Sequence, residues 1–245
     1  MANWKLNPTT LTQAKQLFLD IRKGLGKKTD KVEVIIAPPM PYISELQKLS
    51  PAGRIKLGAQ DVYHEEKGAF TGEVSLPMLR SVGVSHVIVG HSEKRAAGET
   101  DKEIYQNVQS VIKGKTTAVV CVGETKRDKE GSYFGIVESQ LKSALKDLKP
   151  ADLKYVTIAY EPVWAIGSGK TATAEDVQEM RLFIKKVLAD KFNRVAAAKI
   201  PVLYGGSVNK QNAETLLTEG QADGFLVGGA SLRATEFIGV VSAAV

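Results

Sequence analysis

Short apolar runs alternate along this chain with longer stretches in which apolar positions recur every three or four residues. The runs at residues 2–6, 33–37, 56–59, 86–90, 117–122, 156–160, 200–204 and 224–227 read as strands. Val34-Ile35-Ile36-Ala37 and Ala118-Val119-Val120 carry no polar position, which marks strands covered on both faces. Between the runs, Leu11, Ala14, Leu17, Phe18, Ile21 and Leu25 fall on one helical face, as do Val177, Met180, Ile184, Val187 and Leu188. Thr10 and Thr173 stand where N-caps are expected, and Glu175 and Asp176 follow Thr173 in the first turn. Strand-helix alternation predicts a parallel sheet with crossover helices. Eight such pairs in 245 residues predict a (β/α)8 barrel of the α/β class, one domain spanning residues 1–245. An open doubly wound sheet is the alternative. It would carry a glycine-rich turn after its first strand, where this chain has Leu6-Asn7-Pro8.

Composition narrows the picture without redrawing it. The chain is 43% hydrophobic and 24% charged, ordinary for a globular protein. No apolar run approaches the roughly 20 residues of a membrane span, and the first residues lack the apolar core of a signal peptide. One cysteine excludes an intrachain disulfide framework, so a cytoplasmic location is expected; Cys121, in an apolar run, reads as a buried thiol. The net charge of +6 favours anionic partners such as phosphorylated metabolites. The basic residues are interleaved with acidic ones and form no stripe, so neither nucleic acid nor membrane is expected as a partner.

The candidate chemistry collects at the C-terminal ends of the strands. After the sixth run stand Glu161, the stiff Pro162-Val163-Trp164 and the tip Ala165-Ile166-Gly167-Ser168-Gly169-Lys170-Thr171. A carboxylate beneath a loop with a rigid start and a glycine centre has the composition of a base under a lid. The tip resembles the tail of a nucleotide-binding loop, but that motif needs a glycine where Trp164 stands. The first run carries Asn3 and Lys5, two apart and so on one face. The fourth ends in Gly90-His91-Ser92-Glu93, where a lone histidine is by itself more often structural than catalytic. The seventh ends in Tyr204-Gly205-Gly206-Ser207 and the eighth in Val227-Gly228-Gly229-Ala230. Two glycine pairs after the last two strands bring bare backbone N–H groups together, where this architecture commonly holds a phosphate. His64, His86 and His91 lack metal-ligand spacing, so no metal and no cofactor are expected. A carboxylate, an imidazole, an ammonium and an anion cradle suit proton abstraction beside a carbonyl in a small phosphorylated substrate.

Taken in order, Asn3-Trp4-Lys5, Gly58-Ala59-Gln60-Asp61, Gly68-Ala69-Phe70-Thr71-Gly72-Glu73, Val89-Gly90-His91-Ser92-Glu93, Cys121-Val122-Gly123-Glu124, residues 159–173, Tyr204-Gly205-Gly206-Ser207-Val208 and Val227-Gly228-Gly229-Ala230-Ser231-Leu232 resemble the triosephosphate isomerase family across essentially the whole chain. The resemblance implies a TIM barrel and the glycolytic and gluconeogenic interconversion of dihydroxyacetone phosphate and D-glyceraldehyde 3-phosphate. It implies Glu161 as the base, His91 as a neutral electrophile, Lys5 as a stabiliser of negative charge, Asn3 as an orienting amide and Glu93 as a carboxylate near both. Backbone N–H groups of Gly167, Ser207, Gly228 and Gly229 would hold the phosphate, Tyr204 and Ser207 would meet the closed lid, and no cofactor is needed. It also implies a homodimer in which the loop carrying Thr71 and Glu73 reaches a partner's Asn3 and Lys5. A catalytically silent barrel that binds a phosphorylated metabolite is the alternative; it would have lost Glu161, His91, Lys5 or the lid.

Two departures stand out. Only Met1 and Ala2 precede Asn-Trp-Lys, so the first strand is expected to be truncated at its N-terminal end. Lys94 stands where the family motif continues with arginine, which keeps the charge and loses the planar fork.

Overall fold

A computed structural model describes residues 1–50, 53–166 and 171–245. Seven strands form one parallel sheet in chain order: β1 (Ala2–Asn3), β2 (Val34–Ala37), β3 (Ile55–Ala59), β4 (Val84–Val89), β5 (Thr117–Val122), β6 (Val156–Tyr160) and β7 (Val202–Tyr204). The helices α1 (Leu11–Leu25), α2 (Ile43–Gln47), α3 (Leu76–Ser81), α4 (Ser92–Ala96), α5 (Asp101–Lys113), α6 (Ser132–Ala144), α7 (Ala174–Lys191), α8 (Arg194–Lys199), α9 (Ala213–Thr218) and α10 (Ala234–Ser242) run between and after them. The eighth strand expected from the sequence is present as a bridged segment. Phe225 bridges Tyr204 of β7, and Val227 bridges Ala2 of β1. Val227 N–H donates to Met1 O and Asn3 N–H to Val227 O, both at 2.8 Å, and this closes the barrel.

Two apolar clusters divide the interior. One lies inside the barrel and includes Ile35, Ala37, Ile88, Val119, Cys121, Ala159 and Leu226. The other, far larger, lies between the strands and the helices and includes Phe18, Ile36, Val120, Ile158, Ile184 and Phe237. Alternate residues of one strand serve the two clusters, Ile35 inside and Ile36 outside, as the two-residue period of a strand requires. This is why the strands read as unbroken apolar runs.

The caps read from sequence are formed. Thr10 accepts from Gln13 N–H at 3.3 Å, and Thr173 and Asp176 form a reciprocal capping box at the start of α7. One expectation needs correction. The first run ends at Asn3 rather than Leu6, because Lys5 takes φ 52°, a left-handed conformation that no strand contains. The two-residue spacing therefore does not explain why Asn3 and Lys5 meet.

Candidate active site

The backbone turn at Lys5 is held from several sides. Asn3 Oδ1 accepts from Lys5 N–H at 3.0 Å, and Gln60 Nε2 donates to Lys5 O at 2.9 Å and to Ala37 O at 3.0 Å. A non-glycine residue at positive φ costs on the order of 1–3 kcal/mol and persists where its surroundings over-determine it. The turn sends the ammonium across the mouth of the barrel to Glu93 Oε1, at 2.6 Å. Gln60 lies in one of the matched motifs, but its spacing gave no sign of this supporting role.

His91 stands between the end of β4 and the start of α4. Its Nδ1 accepts from Glu93 N–H at 3.2 Å, which leaves Nε2 as the nitrogen that faces the barrel mouth as a donor. Nε2 lies 3.0 Å from Glu161 Oε1. The other carboxylate oxygen, Oε2, accepts from Ser92 N–H at 2.8 Å. Glu161 is only 3% exposed, so these two bonds are what keep its charge acceptable away from water. To reach a substrate carbon it must exchange them.

Two glycines make room for Glu161, one beside its side chain and one beside its backbone carbonyl. A Cβ on Gly205 would sit 2.9 Å from Glu161 Cγ, and one on Gly123 would sit 1.8 Å from Glu161 O. Gly205 N–H also donates to Tyr160 O at 2.7 Å, tying the end of β6 to the end of β7. The glycine pair after β7 thus does packing work beside the carboxylate as well as leaving backbone bare. At the second pair, a Cβ on Gly228 would lie 3.4 Å from Lys5 Cε, and Gly229 faces open space. Ammonium and diglycine border the same space. Ser207 is exposed next to the buried Tyr204, whose hydroxyl has no hydrogen-bond partner among the described residues. Burial pushes that hydroxyl up to about 12, so it stays protonated.

The hinge after Glu161 rests on a network that sequence reading missed. Glu124, fully buried, accepts at Oε1 from Tyr160 Oη at 2.8 Å, Trp164 Nε1 at 2.7 Å and Arg127 Nε at 3.1 Å. Arg127 continues to Asp176 at 2.7 Å and lies 4.8 Å and 5.4 Å from the ring centroids of Tyr133 and Trp164. Burial, then the Glu124 carboxylate, pushes the Tyr160 hydroxyl far above its ordinary range. Glu124 was one position of a matched motif, but Tyr160 and Trp164 lie 36 and 40 residues away from it and no local pattern joins them. Pro162, Val163, Trp164, Ala165 and Ile166 form a short 3-10 turn and its flanks, with Val163 N–H donating to Glu124 O at 3.0 Å. Gly167, Ser168, Gly169 and Lys170 lie outside the described residues, and Thr171 is exposed beyond them. The structure therefore assembles Asn3, Lys5, His91, Glu93 and Glu161 at one mouth, with Gly228 bordering it. Thr71 and Glu73 are exposed on a separate loop after β3.

Comparison with known proteins agrees with this architecture. The family model described as triosephosphate isomerase matches residues 1–244. The chain belongs to the triosephosphate isomerase family. It is 43% identical over 242 residues to the triosephosphate isomerase of Moorella thermoacetica, covering 98% of this chain and 96% of that protein. It is 41% identical over 244 residues to that of Chloroherpeton thalassium, covering 99% and 96%, and 38% identical over 242 residues to that of Alkaliphilus metalliredigens, covering 98% and 96%. Family membership gives the mouth of the barrel its expected chemistry, the isomerisation of a triose phosphate. Lys94 makes an ion pair with Asp61 at 2.6 Å. Among the described residues no cluster of three or more His, Cys, Asp or Glu could hold a metal, and no helix is long and apolar enough to cross a membrane.

Proposed function

We propose that this chain, acting as one barrel domain, interconverts dihydroxyacetone phosphate and D-glyceraldehyde 3-phosphate, with Glu161 as the base, His91 as the electrophile and Lys5 as the electrostatic stabiliser. The observation that carries the assignment of roles is the 3.0 Å approach of His91 Nε2 to a buried carboxylate at the strand ends. Glu161 takes the proton from the carbon beside the carbonyl, while the Nε2–H of His91 donates to the carbonyl oxygen. An enediolate results. His91 carries the hydroxyl proton from one enediolate oxygen to the other, and return of the abstracted proton to the neighbouring carbon completes the isomerisation. The Lys5 ammonium stabilises the negative charge that develops. Asn3 fixes the turn that places Lys5, and Glu93 holds the ammonium until substrate displaces it. Backbone N–H groups of Ser207, Gly228 and Gly229 take the phosphate, joined by Gly167 from outside the described residues. Tyr204 offers its unpartnered hydroxyl to the segment that follows Ile166.

The reading extends to a homodimer in the cytoplasm. Leu6, Met40 and Phe70, on the loops after β1, β2 and β3, are 91%, 51% and 41% exposed, so three neighbouring loops present apolar side chains to solvent. A second copy covering them would place Thr71 and Glu73 beside the partner's site. Sedimentation of the active enzyme as a monomer at micromolar concentration would overturn this part. For the reaction, a coupled assay on purified protein is expected to show turnover that falls by about 10³ or more in Glu161→Asp, with phosphoglycolate bound tightly by the parent. Absence of turnover in folded protein that still binds phosphoglycolate would favour a silent phosphometabolite binder.

A further inference from the structure

His91 caps α4, and Ser92 and Glu93 open it, so the placement of α4 decides where the imidazole points. Yet α4 is five residues long and none of them is buried. A helix that short does not persist on its own backbone bonds, and this one has no apolar face to pack. The sheet gives little help, since the register of β4 against β5 ends at Val89. The chain then turns at Gly90, with φ 73°. A Cβ on Gly90 would lie 3.1 Å from Ile104 of α5, so the backbone passes close to that helix. Rotation of the peptide between Gly90 and His91 would swing the whole ring.

Arg95 opposes that rotation. Its Nε donates to Gly90 O at 3.1 Å, and its Nη1 donates to Asp101 Oδ1 at 2.7 Å. Asp101 is the first residue of α5, which a reciprocal capping box starts and which buries Ile104, Val108 and Val111. The guanidinium therefore ties the end of β4 to an anchored helix, with α4 held between them. A planar fork can make both bonds at once, which an ammonium cannot. Nη2 is buried and has no partner among the described residues, so no third bond pulls the group elsewhere. Lys94, the neighbouring cation, pairs with Asp61 where both side chains are partly in solvent, and such a pair holds little.

We propose that Arg95 is a positioning residue for His91. It fixes the Gly90 carbonyl, and through it the direction in which Nε2 meets the substrate oxygen. The proposal rests on the reading of His91 as the electrophile.

The test compares Arg95→Met, Arg95→Lys and His91→Gln in the coupled assay, as turnover per folded molecule, beside their affinities for phosphoglycolate. Arg95→Met keeps an apolar stem and removes both donors. Its kcat is expected to fall by about 10–100-fold, the scale of a misplacement of roughly 1 Å. KM and phosphoglycolate affinity are expected to stay within about two-fold, because Lys5 and the glycine pairs are untouched. Arg95→Lys can replace one bond and not both, so its kcat is expected to lie between those of Arg95→Met and the parent. The nitrogen-15 resonance of His91 Nε2 is expected to move in Arg95→Met, as its approach to Glu161 changes. A purely structural arginine would lower the melting midpoint and leave kcat and that resonance where they were; this result overturns the proposal. A rise in KM that matches the fall in kcat/KM also overturns it, by placing Arg95 in substrate binding. If Arg95→Met does not fold, parental kcat in Arg95→Lys has the same consequence. Parental kcat in His91→Gln would remove the reading of His91 and this inference with it. Loss in His91→Gln beside parental kcat in Arg95→Met strikes Arg95 alone.

Discussion

At the catalytic mouth, buried polar groups are held by bonds that cross between strands; at the opposite end, apolar side chains line the barrel. Glu161, 3% exposed, is bonded to Ser92 and His91 from the end of β4, and Gly205 from the end of β7 packs against it. Glu33, at the other end, bonds to Lys56 and lies near His86, with half of its surface in solvent. The carboxylate at the mouth is thus taken out of water and bonded, whereas the one at the far end stays half in water. Desolvated charge is costly unless fully bonded, so the mouth tolerates little displacement. The far end tolerates substitution chemically and is limited by packing.

That contrast can be broken from either side. Ile88→Ala removes a buried side chain from the barrel interior, and a loss of about 2–4 kcal/mol is expected in urea unfolding. Turnover per folded molecule should stay within about two-fold; a larger drop would mean that the interior positions the mouth. Gly205→Ala does the reverse. Its Cβ would lie 2.9 Å from Glu161 Cγ, so the carboxylate must shift by a few tenths of an ångström. A fall of about 10–100-fold in kcat/KM is expected with little change in stability, read from the coupled assay and a melt run together.

Glu124→Gln sharpens the comparison. It keeps acceptors for Tyr160 and Trp164 but removes the charge that faces Arg127, and a loss of about 1–2 kcal/mol is expected. Unchanged stability would show the hinge network to be inert. Glu33→Gln has the smallest expected effect. The neighbouring His86, then Lys56, holds the Glu33 carboxyl down at about 2 against an ordinary 4.5. A depressed carboxylate stabilises the fold above pH 4.5 and loses that contribution as pH falls through about 2. Solvent screening of a half-exposed pair keeps the effect below about 1 kcal/mol. Urea midpoints at pH 7, 4.5 and 3 should show a shallower acid decline in the variant than in the parent.

How much of this was legible in the sequence depended on whether the cause was local. β5 and β6 appear at the residues their apolar runs delimit, because burial on both faces leaves an unbroken apolar stretch. β1 was read three residues too long, since nothing in Asn3-Trp4-Lys5-Leu6 announces the positive φ at Lys5. The eighth strand was legible as a run, but it is present as two bridges. His91 and Glu161 were found from their places after strands. The Nδ1 bond that fixes the imidazole tautomer is a matter of cap geometry, visible only once α4 is in place. Gln60, Tyr160 and Arg127 were missed because each acts on a residue far away in sequence.

The Glu124 carboxylate bonds at once to the last residue of β6, to the hinge tryptophan and to an arginine that reaches α7. These residues cannot be exchanged singly. A loop transplanted from another barrel with its own tryptophan would arrive without the acceptor beneath it. An engineer who wished to give this enzyme a new roof would have to move Glu124, Arg127, Tyr160 and Trp164 as one cassette, though they come from two separate stretches of chain.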